Sequence, residues 1–229
     1  MNNYKFCELY QLHIVDYEVA WQLQKRLVQA RKQQLQKDAL LLLEHPPVYT
    51  LGQGATPEFL KFSPSADAPQ VLRTERGGEV TYHCPGQLVG YPILDLHNFR
   101  MDLHWYLRQL EEVIIVALKD WGIDGNRIQG LTGVWVEGCK IAAIGIKVSR
   151  WVSMHGFAVN VRPEMAGFER IVPCGIEDRP VGSVAQFRPD VTVVQMRESI
   201  AKAFAQVFGV RLQLGQPESL WALLKKTEI

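Results

Sequence analysis

"TGVWVEGCKIAAIGIKV", residues 132–148, decides the fold class, because it places two strand-like runs on either side of Glu137-Gly138. An acidic residue followed by glycine tolerates the left-handed backbone of a tight two-residue turn, so the stretch reads as a β-hairpin. A third run, "HGFAVNV" (155–161), follows closely as another strand. Consecutive strands without an intervening helix exclude a regular βαβ alternation.

Working outward, Val19, Leu23, Leu27 and Ala30 recur at helical spacing within 17–37 and predict a helix with one buried stripe. "ALLLLEH" (39–45) reads as a buried strand stopped by Pro46 and Pro47. "FLKFSPSADAPQ" (59–70) is a loop, and "QVLRTE", "GEVTYH" and "QLVGYPILDL" are strands. Asp102 is placed to cap a helix whose apolar side carries Leu103, Leu107, Leu110, Ile114, Ala117, Leu118 and Trp121. Residues 192–208 predict a further helix closed by Gly209, with "VRLQL" as a strand and 217–226 as a short helix. The expected class is α+β with a mixed, largely antiparallel sheet and packed helices, in a single domain spanning 1–229.

Lys and Arg number 25 against 24 Asp and Glu, so no global field recruits nucleic acid or a membrane. The N-terminus lacks a basic segment followed by an apolar core, and no apolar run approaches a membrane span, so a cytoplasmic, soluble protein is expected. Cys7, Cys84, Cys139 and Cys174 are widely separated with no CxxC pair, and no histidine pair has HxxxH spacing. No metal is expected from this pattern.

Four stretches could carry chemistry. In "RGGEVTYHCPGQ" (76–87), Gly77 and Gly78 allow close backbone approach to a ligand, and His83 ends a short strand; a plain glycine hairpin is the alternative. The GK[ST] of a phosphate-binding loop is missing, so nucleotide binding is not supported. Lys140 opens a strand of apolar neighbours, where its ammonium either reaches water or serves a partner group. Cys139 reads as core filler. "MHGFAVN" (154–160) brings His155 and Gly156 into a strand of small residues that could wall a slot. In "IVPCGIEDRP" (171–180), Cys174 is either an inert thiol or a nucleophile presented where Pro173 and Gly175 fix a bend. A nucleophilic role requires a cation to favour the thiolate, and Lys140 and His83 are the candidates.

"RGGEVTYHCPGQLVGYPILDL", "GVWVEGCKIAAIGIKVSRWVSMHGFAVNV" and "IVPCGI", preceded by "HPPVYTLG", closely resemble the lipoyl(octanoyl) transferases over roughly residues 40–200. The resemblance implies a fold similar to lipoate and biotin protein ligases. It implies transfer of octanoyl from octanoyl-acyl carrier protein to a lysine of the lipoyl domains of 2-oxoacid dehydrogenases or of a glycine-cleavage protein, without a cofactor. By motif match, Cys174 is the acyl-thioester nucleophile and Lys140 lowers its pKa. The acyl site comprises Arg76, Gly77, Gly78, Glu79, Val80, Thr81, Tyr82 and His83, with Ala143, Ile144, Gly145, Gly156, Phe157 and Ala158. Two departures stand out: Cys84 replaces the usual glycine after the motif histidine, and "RPVGSV" (179–184) replaces the usual "VTSL" segment, with Ser183 as the nearest hydroxyl.

The mechanism so implied is ping-pong: the Cys174 thiolate attacks the carrier thioester, and the acceptor lysine then attacks the acyl-enzyme. Lys140 would take the amine proton with His83 assisting as a proton relay, and amides near Gly77, Gly78 or Gly145 would hold the oxyanion. A methylene contributes only about 0.8 kcal/mol, so preference for eight carbons must come from where a tunnel ends, and Ala142, Ala143 and Ala158 are expected to line it. Lys147, Arg150 and Arg162 are candidates for docking an acidic partner. The rival on the same fold is an ATP-dependent lipoate ligase, which has no need of Cys174; a non-catalytic acyl-carrier module is the rival of another class.

Overall fold

The computed structural model describes residues 5–63, 69–172 and 179–225. Among them, β1 (Lys5–Ile14), β2 (Asp38–Glu44), β6 (Gln87–Ile93), β7 (Val134–Val136), β8 (Cys139–Ser149), β9 (Val152–Asn160) and β10 (Val210–Leu214) form one sheet in the order β10-β1-β2-β6-β9-β8-β7. β1 is parallel to both its neighbours, and the remaining pairings are antiparallel. A second sheet joins β4 (Val71–Arg73), β3 (Val48–Leu51) and β5 (Val80–His83). The mixed α+β expectation therefore holds. No helix among the described residues is long and apolar enough to cross a membrane.

Helices cover both faces of the large sheet. α2 (Leu103–Lys119) and α4 (Val193–Phe208) share a core with Leu40, Leu42, Leu88 and Val159. α1 (Tyr17–Lys32) and α5 (Pro217–Lys225) share the opposite core with Ala39, Leu41, Leu43, Val89 and Ala158. Burial on both sides explains why β2 is an unbroken apolar run rather than an alternating one. The short α3 (Ala166–Glu169) puts Phe168 into the core of the small sheet with Tyr49, Val80 and Tyr82.

The turn and the helix ends follow the local sequence signals. Glu137 and Gly138 take φ of 48° and 84°, as the hairpin turn requires. The Asp102 carboxylate accepts from Trp105 N at 3.0 Å and Gly209 ends α4 at φ 61°, while Thr192, expected as the first helical residue, is the cap of α4. The buried faces of the helices differ from the expected ones. In α1 the buried side is Tyr17, Ala20, Leu23, Gln24, Leu27 and Val28, while Val19 is exposed and the helix stops at Lys32 rather than 37. In α2, Leu103 is exposed, and Tyr106 and Val113 take the buried positions.

Candidate active site

A cleft lies where the small sheet meets the α1 side of the large one. β8 and β9 provide one wall through Ala143, Ile144 and Gly145 and, paired opposite them, Ala158, Phe157 and Gly156. Arg76, Gly77, Gly78 and Glu79, then Thr81 and His83 of β5, provide the other. Tyr17, Val89, Tyr91 and His155 close the narrow space between the walls further.

Val80 and Tyr82, expected at the acyl site, do not line this cleft. Strand alternation sends them to the opposite face of β5, where Val80 is buried and Tyr82 packs against Tyr49 and Phe168. Ala142 belongs to the α2/α4 core and lines only the small pocket of Lys140, while Ala143 and Ala158 face the cleft as a cross-strand pair. Tyr17, Val89 and Tyr91 were not read from the sequence as site residues; they come from two elements that only the tertiary fold brings to the cleft.

The loop between β4 and β5 is held by backbone contacts. Gly77 N donates to Ile146 O at 2.9 Å, and a Cβ on Gly145 would sit 2.8 Å from Gly77 O, so glycine is needed for this approach. The Gly77 amide is thus already engaged, which removes it from the oxyanion donors considered above. Arg76 is buried and donates to Thr50 O, Thr50 Oγ1, Gly77 O and Glu79 O, so its guanidinium fixes the loop from within.

Lys140 reaches the same region through an irregularity in β8. The β7 register steps from Trp135↔Lys140 to Val134↔Ala142, leaving Ile141 as an extra residue. Ile141 and Ala142 both belong to the α2/α4 core, so the extra residue turns Lys140 to the side that Ala143 occupies. Lys140 is 7% exposed, its ammonium lies 5.4 Å from the Trp135 ring centroid, and it shares a small pocket with Thr81, Ala143 and Phe168. Thr81 and Ala143 line both spaces, so the Lys140 pocket adjoins the cleft. Among the described residues no carboxylate lies within ion-pair distance of Lys140. Its backbone amide donates to Pro180 O at 2.9 Å, and its carbonyl accepts from Gly182 N at 3.0 Å, tying β8 to the segment that follows residue 178.

Cys174 lies outside the described residues. Cys84, the departure beside His83, is buried in the small-sheet core, where burial raises its thiol pKa. Ser183 is also buried, and its amide donates to Gln186 Oε1. Of the candidate docking cations, Lys147 and Arg150 lie near the β8–β9 turn, whereas Arg162 follows the far end of β9 and donates to Pro189 O. They do not form one patch.

Behind Tyr91 of the cleft lies a buried polar group, His45. His45 Nδ1 lies 2.7 Å from Val15 O, which can only accept, so Nδ1 carries the proton and Nε2 accepts from the Tyr91 hydroxyl at 2.7 Å. Burial lowers the pKa of His45 to about 4 and, with His45 nearby, holds His83 well below the ordinary histidine value. His155 is also lowered by burial; its backbone is left-handed at φ 58° and its amide donates from the strand to Gln24 Oε1. These groups are neutral when folded and bind protons more readily when unfolded. Their contribution is therefore complete above the unfolded value near 6.5 and is lost as pH falls. His45 alone should remove about 2 kcal/mol between about pH 7 and pH 5, seen as a falling urea midpoint that a His45→Gln variant shows less steeply.

A narrow cleft with one largely apolar wall, next to a pocket that holds a buried lysine, is the kind of site that takes an extended apolar chain. The chain belongs to the lipoyl protein ligase A/B catalytic domain family, whose pattern matches residues 16–205. It is 59% identical over 207 residues, 90% of this chain and 94% of the relative, to a protein of a Nostoc species named octanoyltransferase. It is 56% identical over 217 residues, 94% of this chain and 95% of the relative, to an octanoyltransferase of Thermosynechococcus vestitus. Its fold is similar to that of lipoate-protein ligase A bound with ATP, at TM-score 0.78 and 17% identity over 95% of this chain and 92% of the other. A biotin protein ligase from Aquifex aeolicus matches at TM-score 0.53 and 15% identity over 88% of this chain and 70% of the other.

Proposed function

We propose that this protein is an acyltransferase that moves an octanoyl group from octanoyl-acyl carrier protein to a lysine of lipoyl domains. The observation that carries this reading is the 59% identity, over most of both chains, to a relative named octanoyltransferase. The cleft supports it: Ala143, Gly145, Gly156, Phe157 and Ala158 give one wall a largely apolar, uncrowded surface that suits an unbranched acyl chain, and Lys140 lies in the adjoining pocket. Cys174, by its motif, is the nucleophile that carries the acyl group as a thioester, and Lys140 is the cation that favours its thiolate. Thioester to thioester to amide runs downhill, so the reaction needs neither ATP nor a bound cofactor.

The test is transfer to an isolated lipoyl domain from octanoyl-acyl carrier protein in the absence of ATP, followed by mass spectrometry of the domain. An octanoyl-lysine product is expected. Product only with ATP and free octanoate would replace this reading with that of a ligase.

Chain-length choice offers a second test. Ala143 and Ala158 are cross-strand neighbours on one wall of the cleft, so bulk at either fills it from that side. Ala143→Leu is expected to change the ratio of kcat/KM for hexanoyl over octanoyl donors by about tenfold in favour of the shorter chain, a little over 1 kcal/mol. An unchanged ratio would place the end of the acyl site elsewhere.

A further inference from the structure

The His83 imidazole ends a hydrogen-bonded chain whose direction is fixed at both ends by backbone. Gly182 O can only accept, so the Asn160 amide nitrogen, 3.0 Å away, must be the group facing it. Asn160 Oδ1 then points at Gln87 and accepts from Gln87 Nε2 at 2.9 Å. Gln87 Nε2 also donates to Tyr82 O at 3.1 Å, a second partner that can only accept. Both amides are therefore oriented, and Gln87 Oε1 is left to accept from His83 Nδ1 at 2.7 Å. Reversing either amide would set two acceptors or two donors against each other inside the fold. Gln87 and Asn160 are a cross-strand pair of β6 and β9, and Gln87, Asn160 and His83 are 2%, 4% and 6% exposed.

We infer that Gln87, oriented by Asn160, is a positioning residue that holds His83 as its Nδ1–H tautomer, so that the Nε2 lone pair serves as proton acceptor in the cleft. The inference rests on the octanoyl-transfer reading for its chemical step but not for the tautomer itself. Burial keeps the ring neutral, and an imidazole with a bare nitrogen can take a proton where an imidazolium cannot. In aminolysis the acceptor amine nitrogen bonds to the acyl carbon and the carbon–sulfur bond breaks. Sulfur leaves as thiolate, and the proton released from nitrogen passes to His83 Nε2 and then to that thiolate. The same chain ends on Gly182, whose amide donates to Lys140 O, so the orientation of His83 and the placement of the Lys140 strand share one anchor.

Long-range proton–nitrogen correlation NMR of the wild-type protein should assign His83 as Nδ1–H. In Gln87→Leu the ring should shift to the Nε2–H form or a mixture, and single-turnover aminolysis should slow about tenfold or more while acylation by the donor changes by less than about threefold. Gln87→Glu retains an acceptor for Nδ1 but cannot donate to Tyr82 O; it should keep the tautomer and recover part of the aminolysis rate. An Nε2–H tautomer in wild type, or a tautomer and aminolysis rate unchanged in Gln87→Leu, would overturn the inference. Equal slowing of both half-reactions would assign Gln87 a structural role only and would likewise overturn it. Should wild type fail to transfer octanoyl at all while His83 is Nδ1–H, the functional reading falls and the tautomer assignment stands.

Discussion

Wild-type protein mixed with octanoyl-acyl carrier protein in the absence of ATP is expected to gain one octanoyl mass that hydroxylamine removes, and Cys174→Ala is expected to gain none. Turnover of the variant should fall by roughly a thousandfold or more, because loss of a covalent nucleophile removes the two-step route altogether. The argument starts from the "IVPCGI" motif and from chemistry: near neutral pH an ordinary thiol is only a few per cent ionised, so a nucleophilic cysteine needs a cation. Lys140 is a buried lysine whose backbone is hydrogen-bonded to Pro180 and Gly182, a few residues after the motif in sequence. Intact-protein mass spectrometry reads the result directly. An adduct that survives hydroxylamine, or one that forms equally on Cys174→Ala, would remove the thioester from the mechanism.

Lys140→Met carries the second large effect. Methionine keeps the length and the contact with Trp135 while removing the charge, so the fold should persist, with Gly133 remaining beside the stem of the side chain. Acyl-enzyme formation near neutral pH should slow by roughly a hundredfold, and the rising limb of its pH profile should move up toward the ordinary thiol range near about 8.5. The direction follows from the charge: a cation favours the thiolate and lowers the cysteine pKa, so its loss raises it. Rapid-mixing measurements of acylation across pH separate this from a folding defect, which would lower the amplitude without moving the limb. A variant whose limb stays where it was would assign the thiolate partner to another residue.

The two effects differ in how they were legible. The Cys174 reading comes from sequence alone, since a motif and its neighbours are a local property. For Lys140, the sequence supplied the residue and the resemblance its role, but not its side of the sheet. Simple alternation along β8 would set Lys140 opposite Ala143, because three positions separate them. The extra residue at Ile141 reverses that parity. Nothing in "GCKIAAIG" announces it, because a bulge is a relation between two strands.

The sequence by itself determined the features set within a few residues of one another: the turn at Glu137-Gly138, the caps at Asp102 and Thr192, the left-handed stop at Gly209 and the strand run of β2. These depend on backbone dihedrals and on short-range hydrogen bonds, which neighbouring side chains dictate. It also held the motifs that carry the family resemblance. Only the tertiary structure decided that residues 5–14 form a strand parallel to both β2 and β10, since that pairing draws on residues distant in the chain. The same holds for the buried side of α1, for the inward turn of Val80 and Tyr82, and for Tyr17 and Tyr91 at the cleft. A helix or strand buries the side on which another element packs, and that choice is made by the whole core rather than by the segment.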